Sequence, residues 1–346
     1  DYKLWEAFNT ECLTLFGRHF FMRVLITGIT GFVGSHMADY LLDNVDDVEV
    51  YALKRWRSNH ENIEHLIGHP KVKLYECDLL DRSSLNMVIR DSKPDVVYHF
   101  AAQSFPETSF QLPVQTLTTN VIGTTNLLEE LRLAKDDGIC NPLIVSVSSS
   151  EVYGNPKREE LPMTESQPLR AANPYSISKV AHDFISEYYH TAYDMKVIIT
   201  RMFSHEGSRR GKMFALSWFA HQVVQNEKGN GDGYIRHGNL DSVRTYSHID
   251  DAVHAYWLVK KKGRVGQRYN IGGDYTCTVG DALNMLISKS TKKGLEPLLD
   301  QDRVRPTDIT LQVPDTSKFR KETGWEPTKG LEEICDDLLD YWREKL

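Results

Sequence analysis

The chain has 346 residues, a formal net charge of −7 at pH 7 and 40% hydrophobic residues. This length allows a sizeable core in one or two domains, and the acidic balance argues against nucleic acid and anionic membranes as general partners. No apolar run reaches the roughly 20 residues that a membrane span needs. The five cysteines and 13 histidines lack metal-ligand spacing, which predicts no metal site and reduced thiols in the cytoplasm.

The first predicted strand follows an N-terminal extension. Residues 1–21 show no clear period and lack the features of a signal peptide, so we place them outside the fold. Met22–Thr27 is an apolar run that predicts a buried strand, Gly28–Gly34 is a glycine-rich turn, and Ser35–Leu42 has helical periodicity. This order is typical of dinucleotide binding, because the glycines let the backbone approach a pyrophosphate at the helix N-terminus.

The next predicted strand, Val48–Leu53, indicates which dinucleotide is bound. An acidic residue at its end would favour the ribose hydroxyl of NAD, but Lys54, Arg55 and Arg57 follow instead. Cations at this point favour a 2′-phosphate and hence NADP, with Arg55 as the candidate for a bidentate phosphate contact. A solvated basic loop is the alternative interpretation.

Strands and helices then alternate along the chain. The predicted strands are Val72–Cys77, Asp95–Phe100, Leu143–Val147 and Val197–Thr200, and the predicted helices are Asp81–Arg90, Leu112–Ala134 and Pro174–Tyr193. This alternation predicts an α/β fold with a doubly wound parallel sheet, a Rossmann domain over residues 22–200. The pattern loosens after Arg201, so we expect 201–346 to form mainly a smaller C-terminal substrate domain. Segments at about 237–275 are expected to return to the Rossmann domain.

The last of these helices carries a candidate catalytic pair. Tyr175 and Lys179 are four residues apart, which places both side chains on one face of a helix. A nearby ammonium lowers the pKa of a phenol, so Tyr175 is a candidate proton acceptor for an alcohol that is being oxidised. Ser148–Ser150 and Glu151 follow the preceding strand, where they could assist this chemistry. A helix-capping run and a solvated carboxylate are the alternative interpretation.

Together these motifs resemble an extended short-chain dehydrogenase/reductase, specifically a GDP-sugar 4,6-dehydratase of the GDP-mannose 4,6-dehydratase type. The resemblance covers about residues 22–345. The segments that carry it are Gly28–Gly34, Lys54–Arg55, Ala101–Ser104, Ser148–Gly154, Tyr175 with Lys179, His205–Glu206, Arg209–Gly211, Gly238–Arg244, Arg305–Asp308 and Gly324–Pro327.

Two departures from the family pattern are visible, and one segment resembles a related group of enzymes. Ser149 stands where the family often has Thr, and Ser204 stands where GDP-mannose dehydratases usually have Asn. The segment 102–110 is similar to relatives that act on GDP-N-acetylglucosamine.

The resemblance implies an NADP-dependent lyase that converts a GDP-hexose, foremost GDP-mannose, to the GDP-4-keto-6-deoxy sugar by internal hydride transfer. Tyr175 would take the proton of the 4-hydroxyl, Ser149 would bind O4 and Glu151 would remove the C5 proton. Three alternatives stay open: a GDP-N-acetylglucosamine 4,6-dehydratase, a GDP-4-keto-6-deoxymannose reductase, and a non-catalytic dinucleotide-binding sensor.

The resemblance also implies the site residues. Those expected to act in catalysis are Ser149, Ser150, Glu151, Tyr175 and Lys179. Those expected to bind the cofactor are Gly28, Thr30, Gly31, Phe32, Val33, Gly34, Arg55, Asp78, Leu79, Ala101, Ala102, Gln103, Tyr175, Lys179, His205 and Arg210. Those expected to bind the GDP-sugar are Ser104, Ser149, Glu151, Tyr175, Ser204, Asn239, Arg244, Arg305 and Asp308.

Similar proteins also suggest a quaternary structure. Helices 112–134 and 174–193 are expected to form a four-helix contact in a homodimer. The loop at Arg209–Gly211, which in the family helps to bind cofactor across subunits, indicates a homotetramer.

Overall fold

The computed structural model of the protein describes residues 21–304 and 308–346. The predicted N-terminal extension, except Phe21, and the predicted substrate residue Arg305 lie outside the described residues.

The described strands are, in chain order, β1 (Met22–Thr27), β2 (Val48–Lys54), β3 (Val72–Glu76), β4 (Val96–His99), β5 (Leu143–Val147), β6 (Lys196–Met202), β7 (His205–Glu206), β8 (Tyr234–His237), β9 (Val243–His248), β10 (Arg268–Ile271), β11 (Tyr275–Thr278), β12 (Glu296–Leu299) and β13 (Leu311–Gln312). The described α-helices are α1 (Phe32–Asn44), α2 (Arg82–Ser92), α3 (Pro106–Gln111), α4 (Pro113–Leu117), α5 (Gly123–Asp136), α6 (Pro174–Tyr193), α7 (Ala215–Glu227), α8 (Ile249–Lys262), α9 (Val279–Ser288), α10 (Ser317–Thr323) and α11 (Leu331–Lys345).

Seven of the described strands form one parallel sheet in the order β10-β6-β5-β4-β1-β2-β3. In its register Met22 pairs with Val48 and Val24 pairs with Val96. The strand order reverses between β1 and β4, and ligands of such sheets bind outside the carboxyl ends of the strands at this point. The predicted doubly wound α/β fold is confirmed.

Helices cover both faces of this sheet. Val24 and Ile26 of β1 pack with α1 and α8 on one face, and Leu25 packs with α2 and α5 on the other. All three side chains are fully buried, which explains why β1 is a continuous apolar run rather than an alternating one.

A second core lies in the C-terminal part of the chain. It joins α7, α9 and α11 through buried side chains such as Phe219, Leu283 and Leu338. Here β9 pairs with β7, β11 and β13, and β8 pairs with β12. The predicted domain boundaries stay a prediction; β10, from the segment 237–275, lies next to β6 in the parallel sheet.

The predicted element bounds differ from the observed ones mainly where a proline or a glycine turn intervenes. Helix α1 begins at Phe32, three residues before the predicted Ser35, because Gly31 is its N-cap. The predicted helix Leu112–Ala134 consists of α4, a π-helical turn at Thr118–Ile122 and α5. None of the described helices is both long and apolar enough to cross a membrane.

Candidate active site

A cavity of about 1180 Å³ opens at the carboxyl ends of β1, β4 and β5. Its wall combines the glycine-rich turn after β1, the ends of β4 and β5, the start of α6 and segments of the C-terminal part. Every site residue that was predicted from the sequence and is described in the structure lines this cavity. The wall also contains many residues that were not predicted.

The glycine-rich turn fits closely against the sheet. Gly28 has φ of +77°, and a Cβ there would lie 2.9 Å from the Ala101 backbone. A Cβ on Gly34 would lie 2.3 Å from the Gly28 carbonyl oxygen, so the helix and the turn can approach only without side chains. The N-terminus of α1 therefore faces the cavity, as the pyrophosphate of a dinucleotide requires.

The basic residues after β2 have distinct environments. Lys54 Nζ lies 3.0 Å from Glu76 Oε1, so its charge is already paired. Arg55 and Arg57 are exposed and line the cavity. Their guanidinium groups can therefore meet an anionic group of a ligand in this cavity.

The segment after β4 forms the cavity wall beside the glycine-rich turn. We call this part of the cavity the cofactor end, because the predicted cofactor residues line it. The Ala101 N–H donates to Thr27 Oγ1 at 3.1 Å, and the Gln103 N–H donates to Asn120 Oδ1 at 2.8 Å. Asn120 lies in the π-helical turn, and its Nδ2 donates back to the Gln103 carbonyl. This amide fixes the backbone of Ala102 and Gln103 on the cavity wall. No sequence motif predicted its role.

The serine run forms a tight turn at the end of β5. Ser149 is the N-cap of a short 3₁₀ helix, Ser150–Tyr153, and its Oγ accepts from the Glu151 N–H at 3.2 Å. Ser150 Oγ donates to Gln312 Oε1 at 3.2 Å, and Asn173 Nδ2 donates to Glu151 Oε2 at 3.0 Å. The capping interpretation of Ser149 is thus confirmed, and Glu151 is a partly exposed carboxylate that Asn173 holds in place.

Tyr175 and Lys179 lie one turn apart in α6, and both are buried in the cavity wall. Lys179 Nζ donates to the Val147 carbonyl at 2.7 Å. Burial raises the pKa of Tyr175, the Glu151 charge raises it further, and a hydrogen bond with Ser149 lowers it. Burial also lowers the pKa of Lys179 to about 8. In the protein alone, desolvation of the phenolate therefore outweighs the lowering expected from a neighbouring ammonium.

A buried chain of hydrogen-bonding side chains supports this wall from behind. His99 lies 2.8 Å from Thr27 Oγ1 and 2.9 Å from Thr124 Oγ1. His182, on α6, lies 3.0 Å from Thr124 Oγ1 and 2.7 Å from Ser146 Oγ. These contacts join β1, β4, β5, α5 and α6 beneath the catalytic pair. The sequence analysis missed both histidines, because neither belongs to a motif.

The loop after β7 brings two further predicted residues to the cofactor end. The His205 ring stacks on Phe32 with a centroid separation of 5.7 Å, and burial lowers its pKa to about 4. The Arg210 guanidinium lies over the rings of Phe32 and Phe214, 5.0 Å and 3.5 Å from their centroids. Arg210 thus contacts the first residue of α1 in its own chain.

The opposite end of the cavity carries the predicted sugar-nucleotide residues. Asp308 Oδ2 accepts from Asn239 Nδ2 at 2.9 Å and from Ser242 Oγ at 2.8 Å. Arg244 Nη2 lies 3.9 Å from Asp308 Oδ1 and also donates to the Ile309 carbonyl. Ser104 and Ser204 line the cavity, together with Asp78 and Leu79 at the cofactor end.

A family model described as "GDP-mannose 4,6 dehydratase" matches residues 25–338. The chain belongs to the GDP-mannose 4,6-dehydratase family. Among its relatives, the GDP-mannose 4,6 dehydratase of Drosophila melanogaster is 30% identical over 341 residues, which cover 91% of this chain and 84% of that protein. The match confirms the resemblance seen in the sequence motifs.

Solved structures support the same family fold. DesIV, a dTDP-glucose 4,6-dehydratase from Streptomyces venezuelae with NAD and TYD bound, is 28% identical with a TM-score of 0.81. The similarity covers 93% of this chain and 97% of that one. RMD from Pseudomonas aeruginosa, complexed with NADPH, is 24% identical with a TM-score of 0.80 over 94% of this chain and 100% of that chain, which shows the shared fold.

Proposed function

We propose that this protein is a lyase that converts GDP-mannose to the GDP-4-keto-6-deoxy sugar with bound NADP. The observation that carries the proposal is the position of Glu151. This carboxylate stands beside Ser149 and Tyr175 in one cavity, so a redox pair and an elimination base can reach the same sugar ring. A reductase that only transfers hydride needs no elimination base.

The cavity fits NADP at the end near α1. The glycine turn leaves room for a pyrophosphate at the helix N-terminus, and Arg55 and Arg57 provide cations for a 2′-phosphate. When bound, oxidised NADP supplies a hydride acceptor whose positive charge also favours a nearby phenolate.

The first step is oxidation at C4 of the sugar. Tyr175 takes the proton of the 4-hydroxyl as the hydride leaves C4, and Ser149 stabilises the charge at O4 by hydrogen bonding. Burial is the largest influence on the pKa of Tyr175 and raises it, whereas the hydrogen bond with Ser149 and the charge of Arg210 lower it.

The second step is elimination of water across C5 and C6. The 4-ketone acidifies the C5 proton, which Glu151 removes while Asn173 Nδ2 holds Glu151 Oε2. The 6-hydroxyl leaves as water, with a proton from Ser150 or from the protonated Glu151. The two protons taken up by Tyr175 and Glu151 are given back, one to the leaving hydroxyl and one to C5. Bound NADP would supply the hydride at C6, so that no reductant is consumed overall.

The substrate follows from the other end of the cavity. Arg244 is placed to meet the pyrophosphate of a GDP-sugar, and Asp308 can accept from a ribose hydroxyl. Arg305 stays a predicted pyrophosphate contact. Ser204 lines the cavity where the family usually has Asn, and the segment 102–110 is similar to relatives that act on GDP-N-acetylglucosamine, so this GDP-sugar is the competing substrate.

One assay tests this function. Purified protein is incubated with GDP-mannose or GDP-N-acetylglucosamine without added cofactor, and the products are followed by mass. We expect loss of one water, about 18 mass units, from GDP-mannose without NADPH oxidation. Tyr175→Phe is the inactive control. In a parallel reaction with GDP-4-keto-6-deoxymannose and NADPH, stoichiometric NADPH consumption, together with no dehydration of either parent sugar, would instead establish the reductase. Dehydration of GDP-N-acetylglucosamine alone would change the substrate.

We further propose that the protein forms a homodimer in the cytoplasm through α4, α5 and α6. Large apolar side chains are exposed on α4 (Val114), on the π-helical turn that leads into α5 (Ile122) and on α6 (Ile177, Phe184 and Tyr188). Ile177, Phe184 and Tyr188 recur at seven and four residues and so share one side of α6. A contiguous apolar face of this kind is typical of a protein–protein interface. Assembly to a tetramer stays a prediction.

A further inference from the structure

The loop Gly207–Gly211 presents its two arginines in different directions. Arg209 Nη1 donates to Asp39 Oδ2 of α1 at 2.6 Å, whereas the Arg210 guanidinium lies in the wall of the cavity against Phe32 and Phe214. Arg209 has a left-handed φ of +64°, which few non-glycine residues adopt without support from their surroundings. The direction of Arg210 therefore depends on what fixes this loop.

Asp337 of α11 fixes the first residues of the loop. Its Oδ2 accepts from the Ser208 N–H at 2.7 Å and lies 3.2 Å from His248 Nε2. His36 of α1 contacts the Ser208 carbonyl at 2.9 Å. The fit is tight, because a Cβ on Gly207 would lie 2.8 Å from Asp337 Oδ2. Both backbone polar groups of Ser208 are thus held from two different helices.

Arg210 is well placed to bind an anion at the cofactor end. Only 15% of its side chain is exposed, and its Nε lies 3.5 Å from Glu206 Oε2. The aromatic ring of Phe32, the first residue of α1, supports the guanidinium beside the helix N-terminus. A guanidinium and a helix N-terminus on the same side of a cavity favour a phosphate between them.

Asp337 itself is remote from this site. It does not line the large cavity but a separate shallow depression with Ser208 and Tyr341. Asp337 can therefore influence a ligand in the large cavity only through the residues that it holds.

We propose that Asp337 is a positioning residue that acts through Arg210 to hold the dinucleotide pyrophosphate within one subunit. This inference rests on the proposed binding of NADP. In contrast to the contact across subunits that the family resemblance implies for this loop, it predicts that each subunit supplies its own Arg210, since the loop is fixed by α1 and α11 of the same chain.

The test is a double-mutant cycle on NADP binding to the full, cofactor-free chain, measured by titration. We expect Asp337→Ala and Arg210→Ala each to weaken NADP roughly tenfold, and the double variant to be no weaker than Arg210→Ala alone. Asp337→Asn keeps an amide oxygen for the Ser208 N–H and should restore affinity close to the unchanged protein. Asp340→Ala, on the same helix but paired only with Arg343 among described partners, is the matched control.

Several outcomes would overturn the inference. Additive losses in the double variant would show that Asp337 acts independently of Arg210. Unchanged affinity in Asp337→Ala, or equal losses in Asp337→Asn and Asp337→Ala, would remove the positioning role. Asp337→Ser is a second variant should Asp337→Ala fail to fold. If the unchanged protein bound no dinucleotide, the proposed function itself would fail, which these comparisons distinguish from failure of the Asp337 role.

Discussion

Tyr175 and Glu151 lie together in the cavity wall, and the Glu151 charge affects the ionisation of Tyr175. The Glu151 charge raises the pKa of Tyr175, in addition to the larger effect of burial. An anionic Glu151 beside a tyrosine phenolate is therefore unfavourable. In the proposed mechanism, Tyr175 is neutral once it has taken the proton of the sugar hydroxyl, and Glu151 can then act as the base. The electrostatics thus favour the order oxidation first, elimination second.

Glu151→Gln should separate these two steps. The amide has nearly the same shape and can still meet Asn173, but it cannot accept a proton from C5. We expect reduced cofactor and a 4-keto sugar to accumulate, without exchange of the C5 proton in deuterated solvent. Absorbance of the reduced cofactor and mass measurement check this. Near-normal dehydration with exchange would show that another group is the base.

Arg55→Ala should change the choice of dinucleotide. The variant loses a cation that can meet a 2′-phosphate, which NAD lacks, so we expect the NADP/NAD affinity ratio to fall at least roughly tenfold, or about 1.4 kcal/mol. Titration of cofactor-free protein with both dinucleotides checks this. Arg57→Ala is the comparison, because the Arg57 guanidinium also lies 5.9 Å from the Trp56 ring centroid. Equal weakening of both dinucleotides would place Arg55 elsewhere than at the phosphate.

Residues with motif context could be predicted from the sequence, and residues with only spatial context could not. Tyr175, Lys179 and Glu151 fall within a short recognisable pattern. Asp337 is one of several acidic residues on an amphipathic helix. Only the fold brings it into contact with the Ser208 N–H, which is 129 residues away in the sequence. Asn173 is intermediate: as an Asn before Pro174 it signals a helix N-cap, but not its contact with Glu151.

At the scale of elements, the bounds of helices and strands could be predicted where the local sequence signals are strong. The predicted bounds of β1, β5 and α6 equal those observed, because each element combines an apolar pattern with a clear start or end. Asp81 is the N-cap of α2, as predicted, and accepts from the Ser83 N–H at 3.0 Å. The π-helical turn at Thr118–Ile122 was missed, since an extra residue per turn leaves little trace in an apolar period.

The exposed face of α6 allows a test of the proposed dimer. Phe184 is 56% exposed near the middle of this helix, so Phe184→Asp should leave the fold intact while placing a charge in the apolar contact. We expect a shift from dimer to monomer in sedimentation at micromolar concentration. Leu299→Asp, at an exposed position of β12, is the matched control. A dimer that persists in Phe184→Asp would assign the interface to another face.

At the scale of the whole molecule, buried neutral histidines make stability depend on pH. Burial lowers the pKa of His99 to about 3 and of His205 to about 4, and it lowers that of His182 well below its usual range. In the unfolded chain each of these histidines would have a pKa of about 6.5. Below that pH the unfolded state binds more protons than the folded state, so the free energy of unfolding falls as pH drops from about 6.5 towards 4.

Denaturant unfolding at several pH values above about 5.5, where carboxylates contribute little, measures this effect. The slope of the unfolding free energy against pH should correspond to uptake of more than one proton. His99→Gln removes one of these groups and should reduce the slope by up to roughly one proton. An unchanged slope in His99→Gln would mean that this residue does not remain neutral in the folded protein.

The position of β10 has a consequence for how the protein is made. Helix α8 packs on one face of the parallel sheet, and β10 completes the sheet beside β6. Both are made well after β6, because 46 residues (249 − 202 − 1) separate Met202, the end of β6, from Ile249, the start of α8. On the ribosome, the first six strands of the sheet emerge while the part of one apolar face beside α1 and the edge of β6 are still uncovered. Such surfaces bind other chains readily. The growing polypeptide therefore passes through an interval in which an apolar surface and a strand edge are open to other chains until α8 and β10 have been made.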